Sequence, residues 1–258
     1  MINIILCGCL GRMGHAVVSK IDSEKESGIR VVAGVDINAV AAAGAQTCSF
    51  PVYSSITEFP GKADVIIDFS HHSAIGELLT YATENGTPIV VATTGHTEDE
   101  LKLMDDASKK VAVFSSGNMS LGINLLIELC KKAAETLGDA FDVEIIEKHH
   151  NKKLDAPSGT ALMIANGISE ERDESEYVYD RHLVRKARES REIGIHSVRG
   201  GTIVGEHEVI FAGMNETITL SHSAASREIF ATGAVRAAAY LVGKPAGRYN
   251  RTDLINNR

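Results

Sequence analysis

Residues 2–6 read INIIL, a short, mostly apolar run that stops ahead of Gly8. A run of this length with glycines behind it predicts a strand buried on both faces. From residue 12 to 22 the period changes, and Met13, Val17, Val18 and Ile21 recur at helical spacing. Further apolar runs follow at residues 29–35, closing on Asp36, and at 65–69, 89–91 and 111–114. Helical patterns over 73–85 and 98–109 lie between the later runs. Strands alternating with helices at this pitch predict βαβ units and a parallel sheet.

After Asn118 the pattern changes. Ser120 stands where an N-cap would precede a long helix through residue 136, with Leu121, Leu125, Leu129 and Ala133 as its expected buried stripe. Strand-like segments follow at 142–147, 194–198, 208–212 and 216–221, with fewer helices among them. This half is expected to be α+β on an open mixed or antiparallel sheet. The charged stretch 170–191 reads as a solvated loop or frayed helix. A last helical pattern at 230–241 is expected to return to the first domain.

At 258 residues the chain has room for one large domain or two ordinary ones, and its 44% hydrophobic and 23% charged residues suit a globular protein. The net charge of −8 argues against a nucleic-acid-binding surface, which needs a basic patch. It leaves room for a local cationic pocket. Cys7, Cys9, Cys48 and Cys130 fit neither a zinc pattern nor a compact disulfide framework, so they read as thiols in a reducing compartment. The first fourteen residues lack a basic lead-in and soon break on glycines, unlike a signal peptide or a membrane span. A cytoplasmic location without membrane association is expected.

Gly8-Cys9-Leu10-Gly11-Arg12-Met13-Gly14 directly follows the first strand and opens the first helix. GxxGxxG is a variant of the dinucleotide fingerprint: glycines allow a tight turn, and the helix N-terminus faces a pyrophosphate. Asp36 ends the second strand about twenty residues beyond Gly14, where a carboxylate accepts from an adenosine ribose 2′-OH. Taken alone, the same residues also fit an ordinary βα turn. Ile37 and Asn38 follow Asp36, and no arginine stands there for a 2′-phosphate, so NADH is acceptable. Ala92-Thr93-Thr94-Gly95 and Ser116-Gly117-Asn118-Met119 follow later strands, where a nicotinamide ribose would come close. Each also reads as a plain loop. His71 and His72 lack an evident third ligand, and no metal is expected. The expected fold class is α/β, a Rossmann-type doubly wound parallel sheet from residues 1–120 and 228–258. A second α+β domain with an open mixed sheet takes residues 121–227.

Residues 147–160, EKHHNKKLDAPSGT, concentrate two imidazoles, two ammonium groups and a turn rich in N–H and O–H donors. Pro157-Ser158-Gly159-Thr160 leads into a helix carrying Leu162, Ile164 and Ala165, and a helix N-terminus with such donors is an anion site. Lys152 and Lys153 add positive charge, and histidines titrate near neutrality and can transfer a proton. A charged surface loop with a capped helix behind it remains the plainer alternative.

Residues 147–161 match E-x-H-H-x-x-K-x-D-A-P-S-G-T-A throughout, and this resembles the signature of the dihydrodipicolinate reductase family of the diaminopimelate route to lysine. The chain is similar to that family also in GxxGRMG at Gly8, IDFS at Ile67, TTG at Thr93, NMSxG at Asn118, RGG…GEH from Arg199 to His207, and H-x-A-x-S-R from His222 to Arg227. The resemblance implies that His149 is the general acid/base and Lys153 a second proton donor. It implies that His150, Ser158, Gly159 and Thr160 bind the carboxylates of a small cyclic dicarboxylate. Gly8, Cys9, Leu10, Gly11, Arg12, Met13, Asp36, Ala92, Thr93, Thr94, Ser116, Gly117, Asn118 and Met119 would then contact NADH or NADPH. A homotetramer is implied as well. Three positions depart from the family's habit: Cys9 and Ala92 replace other small residues, and Ile37 replaces an arginine that some members use for NADP. The rival readings are another nicotinamide-dependent amino-acid dehydrogenase, of aspartate or diaminopimelate type, and a non-catalytic dinucleotide sensor.

Overall fold

The computed structural model describes residues 1–24, 28–39, 48–182 and 185–256. In chain order its strands are β1 (Ile2–Cys7), β2 (Ile29–Val35), β3 (Val52–Tyr53), β4 (Val65–Asp68), β5 (Ile89–Val91), β6 (Ala112–Ser115), β7 (Asp142–His149), β8 (Glu176–Val178), β9 (Glu192–Arg199), β10 (Gly205–Ala212), β11 (Thr217–Ala224) and β12 (Gly247–Tyr249). The α-helices among the described residues are α1 (Arg12–Ser23), α2 (Ile75–Asn85), α3 (Glu98–Ser108), α4 (Leu121–Leu137), α5 (Gly159–Ser169), α6 (Glu228–Leu241) and α7 (Arg251–Asn256). They form two compact units: Met1–Ser120 with the segment from Arg227 onward, and Leu121–Ser226.

The first unit holds a sheet in the order β12-β6-β5-β4-β1-β2-β3, and every pairing in it is parallel. The order runs outward from β1 in both directions, which is the doubly wound arrangement. Alternation along β1 explains the two layers. Ile4 and Leu6 join a core with α1 and α6, while Ile5 and Cys7 join the opposite core with α2 and α3. Ile4, Ile5 and Leu6 are fully buried, each worth about 1.5–3 kcal/mol of apolar transfer. The short strands β3 and β12, too brief to show a period, are additions to the sequence expectation. Helix α3 starts with a reciprocal cap: Thr97 Oγ1 accepts from the Glu100 N–H, and the Glu100 side chain accepts from the Thr97 N–H.

The second unit has a mixed sheet in the order β11-β10-β7-β9-β8, with β10 antiparallel to both β7 and β11 and the β7–β9 and β9–β8 pairs parallel. Helices α4 and α5 share one core with Val143, Ile145, Ile193, Ile195, Val209 and Phe211 of the strands. The buried stripe on α4 differs from the expected one. Its buried residues are Ile123, Asn124, Leu126, Ile127, Cys130 and Ala134, while Leu125 and Leu129 are 53% and 46% exposed. The helix carries apolar residues on two faces, and the core takes the one rich in β-branched and small side chains. The charged stretch 170–191, described apart from residues 183–184, is also more ordered than expected. It contains edge strand β8, and Arg172 donates to the carbonyls of Phe141, Ser190 and Gly138. No helix among the described residues is long and apolar enough to cross a membrane.

Candidate active site

In the first unit a cavity of about 420 Å³ opens at the carboxyl ends of β1, β2 and β4, where the strand order reverses. Gly8, Gly11, Asp36, Ile37, Asn38, Ser70 and His71 are among its lining residues. Gly8 has φ 74°, and a Cβ there would run into the Phe69 carbonyl that follows β4. Only glycine lets the β1 turn pass so close to its neighbour. Asp36 is drawn onto this turn: it accepts from the Leu10 N–H at 3.1 Å and from the Asn38 N–H at 3.0 Å. Arg12 is exposed at the start of α1.

The other expected cofactor residues divide. The Cys9 side chain is fully buried beside Gly34, and Met119 is buried in the same core, so only their backbones can face a ligand. Met13 packs partly on that core. Ala92, Thr93 and Thr94 line a cavity of about 270 Å³ with Ser70 and His72, and Thr93, Thr94, Ser116 and Gly117 line another of about 330 Å³. The Ser116 loop is held by its own bonds: Ser116 Oγ donates to the Asn118 carbonyl at 2.7 Å, and Asn118 Oδ1 accepts from the Ser120 N–H at 2.8 Å. His72 Nδ1 meets both oxygens of Glu100 at 2.9 and 3.0 Å, tying the segment after β4 to the cap of α3. Among the described residues no three His, Cys, Asp or Glu side chains converge as a metal site.

In the second unit the alternation of β7 builds a polar site on an apolar face. Val143 and Ile145 enter the core, and Glu147 and His149 continue the same buried row. Glu147 is fully buried and accepts from four donors. These are Arg199 Nη2 at 2.7 Å and Nη1 at 2.8 Å, the Ser158 N–H at 3.1 Å, and His149 Nδ1 at 2.5 Å. Burial alone would raise the Glu147 pKa, but the hydrogen bonds from Arg199 and His149 outweigh it and bring it down to about 2. An ionised carboxylate only accepts, so the His149 proton sits on Nδ1 and Nε2 faces outward as the exchangeable position.

Burial lowers the His149 pKa, the bond to Glu147 opposes that, and the charges of Lys153 and Arg199 add to the lowering. Gly205 lies across from His149, and a Cβ there would come within 3.1 Å of Nε2, so glycine keeps that nitrogen accessible. Lys153 pairs with Asp155 at 2.9 Å, and Lys152 is exposed. Arg199 Nη2 also donates to the Asp155 carbonyl at 2.7 Å, fixing the loop that carries Lys153. Ser158 caps α5, its Oγ accepting from the Ala161 N–H, and Gly159 and Thr160 open the helix. His150 is half-buried just past the end of β7.

Residues 2–119 match the family described as dihydrodipicolinate reductase, N-terminus, and residues 122–255 match dihydrodipicolinate reductase, C-terminus. The chain belongs to the dihydrodipicolinate reductase family. It is thus an oxidoreductase. A 4-hydroxy-tetrahydrodipicolinate reductase of Caldanaerobacter subterraneus is 54% identical over 256 residues, covering 99% of this chain and 98% of that one. One from Clostridium tetani is 44% identical over 258 residues, covering 100% and 98%. A solved dipicolinate-bound dihydrodipicolinate reductase from Paenisporosarcina sp. TG-14 superposes with a TM-score of 0.77 at 26% identity, over 97% of each chain.

The dihydrodipicolinate reductase signature draws the eye to His149 and Lys153 and leaves Glu147, Arg199, Gly205 and His207 without roles. One signal in the sequence was available. Glu147 stands two residues before His149 on a strand, and period two puts both on one face. The pairing of Arg199 with Glu147 across fifty-two positions had no such signal.

Proposed function

We propose that the chain is a 4-hydroxy-tetrahydrodipicolinate reductase. It reduces a small cyclic dicarboxylate to tetrahydrodipicolinate in the diaminopimelate route to lysine, using NADH or NADPH. The single observation that carries the reading is the Arg199–Glu147–His149 chain beside the capped N-terminus of α5. It supplies an oriented acid next to donors for an anion.

The cleft at Gly8 fits a dinucleotide: its backbone turn admits no side chain, it lies at the strand-order switch, and the Asp36 carboxylate among its lining residues would face a ribose. NAD(P)H bound there would supply the hydride for a conjugated C=C–C=N ring. Gly8, Gly11 and Arg12, with the backbones of Cys9, Leu10 and Met13, would hold the pyrophosphate. Asp36 would accept from the 2′-OH, and exposed Ile37 offers no charge to a 2′-phosphate, which favours NADH. The Thr93–Thr94 and Ser116–Asn118 loops would take the nicotinamide side.

His150, Gly159 and Thr160, with Ser158 at the helix start, would hold the two carboxylates and orient the ring. His149 Nε2 gives a proton to the enamine carbon that reduction leaves, and the ionised Glu147 stabilises the imidazolium form that carries this proton. Lys153 stands by as a second donor. Residues 1–120 and 228–258 would thus serve the nucleotide, and residues 121–227 the substrate and subunit contacts. A homotetramer in the cytoplasm completes the proposal; the exposed Leu125 and Leu129 of α4 suit a subunit contact.

A coupled assay with freshly made synthase product, offered NADH and NADPH in turn, tests the reading. Oxidation of at least one cofactor is expected. Absence of turnover with both, alongside activity on aspartate or meso-diaminopimelate, would replace it by a dehydrogenase reading.

A further inference from the structure

We propose that His207 is a positioning residue: its Nε2 holds the Ser158 hydroxyl, and Ser158 so held sets the first turn of α5 for a substrate carboxylate. The proposal rests on the reductase reading above. His207 lies on β10 directly opposite Glu147 on β7, in the same buried row as Val209 and Phe211. It is 4% exposed, and its Nε2 stands 3.2 Å from Ser158 Oγ.

The N–H and the Oγ of Ser158 both have partners. Its N–H goes to Glu147 Oε1 at 3.1 Å, and its Oγ already accepts from the Ala161 N–H at 3.2 Å. Its Oγ also shares a hydrogen bond with His207 Nε2, whichever of the two carries the proton. Burial keeps His207 neutral, with a pKa pushed down to about 3, and the neighbouring His149 adds to the lowering. The substrate carboxylate is then met at the first turn of the helix, beside Gly159 and Thr160. Ser158 is then the fixed post from which the helix starts.

His207 is not a proton relay to the acid. The rings of His149 and His207 meet edge to face, 5.3 Å between centroids at 74°, with no hydrogen bond between them.

The test uses the full chain saturated with NADH, with pyridine-2,6-dicarboxylate as probe, read by titration calorimetry and by steady-state kinetics. Glutamine can bring an amide to the place of Nε2, whereas asparagine reaches only that of Nδ1. His207→Asn is expected to raise the probe Kd and the substrate KM about tenfold, the worth of one buried hydrogen bond, with little change in kcat. His207→Gln is expected to restore most of this. Ser158→Ala should match His207→Asn, and the double variant should be no worse than either, because both remove one link. The proposal is overturned by additive losses, by a fall in kcat with KM unchanged, or by wild-type affinity in His207→Asn. If His207→Asn does not fold, the Ser158→Ala and His207→Gln pair carries the same cycle: losing the Ser158 hydroxyl should weaken the probe while the glutamine variant keeps it. Failure of the wild-type chain to bind the probe or to turn over sinks the reductase reading itself, and is told apart from these outcomes by the control.

Discussion

Replacing Glu147 by glutamine removes one charge and keeps the shape. The carboxylate serves four donors with two accepting oxygens. A glutamine amide has one accepting oxygen and one donating nitrogen. With the nitrogen in place of Oε2 it opposes His149 Nδ1 and Arg199 Nη1; in place of Oε1 it opposes the Ser158 N–H and Arg199 Nη2. In the first orientation His149 must move its proton from Nδ1 to Nε2, and in both Arg199 loses its counter-charge. A hydrogen bond to a charged group contributes about 1.5–3 kcal/mol, so at a given pH the imidazolium population falls about 10- to 100-fold. The kcat of Glu147→Gln is expected to drop by that order, measured by cofactor absorbance. The limb of the pH profile on which His149 loses its proton should move to lower pH, since Glu147 is the group that raises its pKa. Breaking a buried pair also costs about 3–5 kcal/mol of stability, so the assay belongs below a lowered melting temperature. A folded Glu147→Gln enzyme with normal kcat, or with an unmoved pH limb, would refute the orienting role.

His207 has a folded pKa of about 3 against an ordinary 6.5, so between these values the unfolded chain takes up a proton that the native one refuses. Stability is therefore complete above 6.5 and falls as pH drops toward 3, and Glu147 adds to the loss between 4.5 and about 2. Urea midpoints measured from neutral to mildly acidic pH should fall for the wild type and flatten in the upper part of this window for His207→Gln; parallel curves would contradict it. Asp36→Ala is expected to weaken NADH by about tenfold and NADPH less, because a carboxylate accepts from a 2′-OH and repels a 2′-phosphate. Fluorescence titration of both cofactors decides it, and equal losses would take Asp36 away from the ribose. Lys153→Met should lower kcat by about 100-fold or more while Lys152→Met does little. A change confined to KM would make Lys153 a clamp rather than a donor.

The parallel sheet was legible because its central strands are buried on both faces and so read as unbroken apolar runs, as at residues 65–67 and Ile89–Val91. Strand β8 was hidden because a three-residue edge strand in a charged stretch has no period to read. The α4 stripe was misread for a related reason. Leucines at spacing four suggest a buried face, but which face is buried depends on the residues of β7, β9 and β10 it meets, and those are distant in sequence. At the site, His149, Lys153 and the cap of α5 stood together in one segment. Arg199 and His207 reach that segment only through strand pairing, β9 beside β7 on one flank and β10 on the other.

That pairing makes β7 a ruler as well as a support. Val143 and Ile145 face the core at its start, and Glu147 and His149 face the site at its end, all in one alternating row. One residue inserted between Ile145 and Glu147 would turn the row over beyond that point. Residues now at 147 and 149 would leave the face opposite His207, and charged Lys148 would be sent toward the apolar side. The segment should therefore tolerate many conservative exchanges of side chain yet no change of length, whereas length changes in the exposed turn at Glu189 would leave the spacing of acid, helix cap and arginine untouched.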